Sequence, residues 1–257
     1  MNNNCFTSLN FTLQNQNFWR IKMKQTNKVL IAILVFALIF SFGINKSISQ
    51  VTDKDGNVYK TVTIGTQEWT TENLNVEHYR NGDPILQVQD PTEWSKLTTG
   101  AWCYYENNSE NGKTYGKLYN WKAVNDPRGL APEGWHIPSD AEWTTLTDYL
   151  GGTTKEKNEG GIKYWIIEVV GGKLKATTLW DSPNTGATNS SGLTAFPGGF
   201  RIFNGDFGDV GEYGIFWSSS EYNFDLAWYR SLSYGFSDVY RSTFNKYFGL
   251  SVRCVRD

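Results

Sequence analysis

The side chains with the widest chemical range in this 257-residue chain are two histidines, three cysteines and 26 carboxylates. His78 and His136 lie far apart, and neither has a second His or Cys at metal-ligand spacing. His136 falls in Gly134-Trp135-His136-Ile137-Pro138, just ahead of a helix start, where a structural loop role suits it. With no H-E-x-x-H and no C-x-x-C, a zinc site is not expected. A G-x-S-x-G elbow, a phosphate-binding loop and a dinucleotide fingerprint are equally absent. Asp53-Lys54-Asp55-Gly56-Asn57 offers oxygens to calcium, but its glycine comes too early for an EF-hand and no glutamate closes the loop. A hairpin turn is the better reading. The same holds for Asn204-Gly205-Asp206-Phe207-Gly208-Asp209, since Asn-Gly favours a type I′ turn. No cofactor and no catalytic residue is assigned.

What remains is aromatic and polar. Between Trp217 and Phe248 the chain interleaves Tyr and Phe with Ser, Asn and Arg. Binding loops favour this mixture, because rings give large contact area for little lost side-chain entropy. Trp217, Tyr222, Tyr229, Tyr234 and Tyr240 are therefore the candidate ligand contacts. The competing use of such rings is to fill a core that holds little Leu or Ile. Simple alternation puts Trp228, Arg230 and Leu232 on one face and Tyr229, Ser231 and Ser233 on the other, which favours Tyr229 for the surface.

The elements that must hold these residues read as follows. Asp53 to Asn57 turns, Val58 to Ile64 is a β-branched run, Gly65-Thr66 turns again, and Gln67 to Thr70 pairs back. Tyr115, Leu118, Tyr119 and Val124 mark a helical face over 114–125, ending before Pro127. Ser139-Asp140-Ala141-Glu142 has the form of a capping box, and Trp143, Leu146, Tyr149 and Leu150 continue it as a second helix stopped by Gly151-Gly152. Phe216 to Ser219, Ala227 to Tyr234 and Phe248 to Val255 are strand candidates, the last with a two-residue period that turns Cys254 to the apolar side. Two helices amid short antiparallel strands and long loops predict an α+β domain.

Composition limits the function classes. A net charge of −2 gives no footprint for nucleic acid, and 19% charged against 16% aromatic residues predicts a folded chain. Val29 to Phe40 is unbroken apolar, preceded by Lys22, Lys24 and Lys28 and followed by Ser47 and Ser49 at −3 and −1 of a cut before Gln50. That is a signal-peptide arrangement, with Met23 the expected true start; the alternative is an uncleaved anchor, the sole route to membrane contact. No cysteine follows the apolar core to support a lipoprotein anchor. The division is then an N-terminal segment, 1–49, and one domain, 50–257. In an exported domain Cys103 and Cys254 would pair as a disulfide, closing a loop worth up to about 5 kcal/mol.

A set of ordered motifs carries a resemblance. Asp55-Gly56-Asn57-Val58-Tyr59, Glu72-Asn73-Leu74 and Tyr115-Gly116-Lys117-Leu118-Tyr119-Asn120-Trp121 are followed by Gly134-Trp135-His136-Ile137-Pro138. Gly171-Gly172-Lys173-Leu174-Lys175, Pro197-Gly198-Gly199-Phe200-Arg201, Trp217-Ser218-Ser219 and Ser251-Val252-Arg253-Cys254-Val255-Arg256 complete the series. Together they resemble the Fibrobacter succinogenes major paralogous domain family, found in exported and surface proteins of bacteria. The resemblance implies a C-type-lectin-like fold, distantly related to the formylglycine-generating enzymes. Those enzymes bind copper through two active-site cysteines. Cys103 and Cys254 stand instead at the positions of the expected structural bridge, so that activity does not carry over. Neither Glu-Pro-Asn nor Gln-Pro-Asp occurs, which argues against calcium-dependent sugar binding. The expectation is an extracytoplasmic, non-catalytic module (secreted, periplasmic or on the outer surface) that binds a glycan or an envelope protein. A structural role in an envelope complex and an enzyme of the formylglycine-generating kind are the alternatives.

Overall fold

The computed structural model describes residues 49–257, which belong to one compact unit. The apolar leader, its cut site before Gln50 and the expected start at Met23 lie outside the described residues, apart from Ser49. Among the described residues no helix is long and apolar enough to cross a membrane.

The architecture is predominantly β. Among the described residues fifteen strands form sheets of five, seven and three, and the helices are short, the longest having ten residues. The five-stranded sheet runs Gln50–Thr52, Val58–Ile64, Gln67–Thr70, Val255–Arg256, Trp135–His136, so the first and last strands of the domain lie in one sheet. The seven-stranded sheet runs Phe207–Val210, Gly198–Arg201, Tyr213–Glu221, Leu226–Ser233, Val239–Asn245, Ile162–Glu168, Thr153–Glu159. Leu86–Gln87, Ala101–Cys103 and Leu118–Tyr119 make the small sheet. Buried side chains from all three sheets meet in one cluster, which includes Tyr59, Trp102, Tyr119, Trp217 and Val252. A second cluster sandwiches Trp143 and Leu146 of the helix between Trp69 of one sheet and Phe216 and Leu232 of another. This sandwich-like arrangement corrects the expected two-helix, C-type-lectin-like α+β fold.

The reason lies in residues 114–125. The predicted helix there is three elements: the end of a helix at Ser109–Tyr115, the strand Leu118–Tyr119, and the single turn Trp121–Val124. Gly116 breaks it at φ 72°, where a Cβ would approach the Leu74 carbonyl at 2.8 Å. Tyr119 then exchanges backbone hydrogen bonds with Leu250 and donates its hydroxyl to the Val76 carbonyl. Asn120 caps the following turn through the Ala123 N–H. Cross-strand pairing and burial have overruled a helical spacing of apolar residues.

The other helix matches its signals. It spans Asp140–Tyr149 with Ser139 as N-cap and both halves of the capping box formed. The hairpin at Val58–Ile64 and Gln67–Thr70 also forms as read, with Ile64 opposite Gln67. Residues 248–255 are regular only at their end: Leu250 and Ser251 make single bridges, and Val255 begins the last strand. That segment is buried on both sides, so Arg253 points inward, donating to the carbonyls of Thr70, Leu193 and Thr194 and to Asn73 Oδ1.

Two more fully buried cations are held the same way. Lys175 Nζ donates to the carbonyls of Thr185, Ser233 and Phe236 at 2.8–2.9 Å. Arg201 reaches the carbonyls of Val88, Gln89 and Gly205 while lying against the Trp94 ring. Each fastens loop carbonyls to the body of the domain, Arg253 and Lys175 also binding the strand-end carbonyls of Thr70 and Ser233.

Candidate functional site

Five strands of the seven-stranded sheet build an open cleft. Register fixes its face: Tyr213 lies opposite Ser233, Ile215 opposite Ser231, and Trp217 opposite Tyr229. Across the next pair, Tyr229 faces Ser242 and Ser231 faces Tyr240. Since alternate residues share a face, Tyr213, Ile215, Tyr229, Ser231, Ser233, Tyr240 and Phe244 project together. Phe200, Asp209 and Phe236 complete a cavity of about 330 Å³. Tyr229 stacks on Phe244 at 4.1 Å between ring centroids, and Phe244 on Phe248 at 4.5 Å, which makes one wall rigid. At the other side Tyr240 stacks on Tyr164 at 5.9 Å.

The chemistry of the cleft is that of hydroxyls on an aromatic floor. Burial pushes the Tyr229 phenol up to about 12, although its hydrogen bond with Ser242 works the other way. Burial and then the Asp238 carboxylate raise Tyr240. Both phenols stay protonated at neutral pH, as donors and acceptors rather than nucleophiles. No His, Cys, Lys or Arg lines the cleft, and its one carboxylic acid is Asp209.

The five candidates from the sequence divide. Tyr229 and Tyr240 line the cleft. Trp217 shares their face but is 0% exposed and donates its indole N–H to the Tyr119 carbonyl, so it is core and not a contact. Tyr234 is half-buried and packs on the cluster around Trp180 and Leu232. Tyr222 is exposed but meets Trp228 edge-on at 5.1 Å, on the opposite face of the sheet from Tyr229. That opposite face carries a separate assembly. The Arg241 guanidinium lies 3.8 Å from the Trp228 ring and 4.6 Å from Trp165. Both it and the buried Arg230 pair with Asp140 at 2.7 Å. Burial opposes ionisation of Asp140, and the two arginines outweigh it and hold its carboxyl below the usual range.

Sequence reasoning had grouped Ser231 and Ser233 with Tyr229 by alternation, and the register agrees. It did not single out Tyr213 or Phe200, left Phe236 and Phe244 of the ring-rich segment out of the candidates, and weighed Asp209 only as part of a turn. The alternation of Tyr213 and Ile215 was a usable signal; Phe200 and Asp209 arrive from other strands with nothing local to announce them.

The remaining chemistry-bearing residues are occupied structurally. His136 bridges Asp257 at 2.6 Å and Glu142 at 2.7 Å. Burial works against its charge, but these hydrogen bonds outweigh it and raise its pKa. His78 is tied to Asp55 at 2.6 Å. In the acidic turn, Asp53 accepts from the backbone of Asp55 and Asn57. Asn204 and Asp206 bond to each other, with Gly205 at φ 94° as a hairpin turn needs. Among the described residues, no group of three His, Cys, Asp or Glu side chains is placed to hold a metal ion.

The expected disulfide is corrected: Cys103 and Cys254 are both free and buried. They belong to different clusters, Cys103 with Val88, Trp94 and Leu118, and Cys254 with Tyr59, Trp135 and Val252. Burial pushes the Cys103 thiol up to about 12 and raises Cys254 further, so neither is a thiolate at neutral pH.

Comparison with known proteins gives one match. The family model for the Fibrobacter succinogenes major domain, a domain of unknown function, matches residues 62–256. No curated protein and no solved structure matches the chain. The match runs from within the strand Val58–Ile64 to the closing strand, and so takes in the cleft, both thiols and every sheet except the strand Gln50–Thr52 and the start of Val58–Ile64. On that extent the chain belongs to the Fibrobacter succinogenes major domain family.

Proposed function

We propose that this domain is an exported, non-catalytic recognition module that binds a glycan in the aromatic cleft of its seven-stranded sheet. One observation carries the reading: a concave surface where Tyr213, Tyr229 and Tyr240 alternate with Ser231 and Ser233. Rings match the apolar faces of sugars, and hydroxyls match their hydroxyl rims. The absence of a thiolate, histidine or paired carboxylates from the lining favours binding over catalysis. The leader-like segment before Gln50 supports placement outside the cytoplasm.

The test is a glycan array probed with and without calcium, using the wild-type chain and single variants. Tyr229→Ala and Tyr240→Ala should each weaken a hit by about tenfold or more, a loss of about 1.4 kcal/mol. Tyr222→Ala, on the opposite face, should leave it unchanged. A blank array from folded protein would sink the glycan reading, and a hit that survives both cleft variants would move the site elsewhere.

A further inference from the structure

Asp209 is the one carboxylate in a cleft with no cation. It is exposed and sits at φ 62°, a conformation that non-glycine residues adopt at a cost and that gathers at functional sites. The neighbouring pairs Gly198–Val210 and Phe200–Gly208 set it at the lip. Gly199 secures that geometry, because a Cβ there would come within 2.5 Å of the Gly208 carbonyl and 2.7 Å of the Tyr105 ring.

Further carboxylates lie near the cleft, and the cation behind its lining, Lys175, is fully buried and bound to the Ser233 and Phe236 carbonyls. Tyr240 lies within reach of the charges of Asp238 and Glu159. On the outer strands, Lys155 is bound to Glu168 at 2.6 Å, and Lys157 stands across from Tyr164, beyond the lining. A carboxylate with free lone pairs accepts two hydrogen bonds from neighbouring hydroxyls, and such charge-assisted bonds are stronger than neutral ones. The same charge repels a second anion in a site whose lining offers that anion no cation.

We propose that the cleft is selective for uncharged glycans, with Asp209 accepting hydrogen bonds from adjacent sugar hydroxyls and rejecting glycans that carry carboxylate, sulfate or phosphate. This rests on the glycan-binding reading above. It assigns Asp209 a specificity role that neither its sequence context nor the family match suggests.

The experiment compares the purified full-length chain on matched pairs of soluble polysaccharides: a glucan, a mannan, a xylan and a galactan. Each is used neutral and again after partial oxidation of primary or vicinal hydroxyls to carboxylates. At least one neutral polymer should bind, with its oxidised partner weaker by about tenfold or more at low salt. Raising the salt should narrow that gap. Asp209→Asn should weaken the neutral polymer and shrink the discrimination, while the thermal midpoint stays close to wild type. Equal or tighter binding of the oxidised polymer would overturn the selectivity alone, as would discrimination that persists in Asp209→Asn. If no polymer of either kind binds, the glycan reading and this inference fall together.

Discussion

Cys103 and Cys254 behave in this fold as small apolar side chains. Each is 0% exposed and each sits among large rings or branched residues. Free buried cysteine packs like a hydrophobe and is protected by its environment as well as by its raised pKa. A thiol reagent should therefore find neither group in the native protein and both after denaturation. The intact mass should not change on reduction. A mass gain of two hydrogens on reduction would restore the disulfide that two lone cysteines in an exported domain suggest. The same scale separates Tyr229 from Trp217. They face each other across one strand pair, yet one lines the cleft and the other donates its N–H into the core.

Elements differ in how firmly they are anchored. Every residue of Thr153–Glu159 is exposed, and its partner Ile162–Glu168 buries only Ile167 fully. The turn between them is Gly160-Gly161, with Ile162 69% exposed. This hairpin should exchange its amide hydrogens faster than the strands Tyr213–Glu221 and Leu226–Ser233. Trimming the outer halves, 156–163, to a two-residue turn should cost no more than about 1 kcal/mol in urea unfolding. A larger loss would mean that the hairpin tip holds the sheet edge. Local signals disclosed the elements whose stability is local: the hairpin of Val58–Ile64 and the capped helix of Asp140–Tyr149. They failed where distant pairing decides. Tyr119 looks helical until Leu250, 131 positions away, claims both its backbone groups. The cleft was half legible for the same reason: Tyr229 and Tyr240 share a dense aromatic segment, whereas Phe200 and Asp209 reach it from a separate strand pair.

Taken as a whole, the molecule buries many groups whose charged forms it cannot solvate. Cys103 is raised from 9.0 to about 12, and Cys254, Tyr59 and Tyr119 are raised as well, each first by burial. An acid whose folded pKa exceeds its unfolded value stabilises the fold fully below the unfolded pKa and loses that contribution as pH climbs toward the folded one. Lys117, Lys175, Arg230 and Arg253 act in the opposite sense, because burial lowers each of them, Lys175 from 10.5 to about 8. The contribution of one thiol is isolated by substitution: the stability advantage of the wild type over Cys103→Ala should shrink by about 1–2 kcal/mol between pH 7 and 10.5. An advantage that is equal at pH 7 and 10.5 in denaturant titrations would contradict this.

Three of the buried cations have a consequence for brine. Lys175, Arg201 and Arg253 are answered mainly by carbonyl oxygens inside the domain, not by carboxylates at its surface. Dissolved ions weaken exposed pairs because the Debye length shrinks from about 10 Å at 0.1 M to about 3 Å at 1 M. They do not enter a dehydrated nest of carbonyls. With a net charge of only −2 there is also little self-repulsion for salt to relieve. The thermal midpoint should therefore move by less than about 3 °C between 0.1 M and 1 M sodium chloride. The loops around the cleft would then keep their shape across habitats from fresh to saline, while any charge-based selectivity at its lip faded.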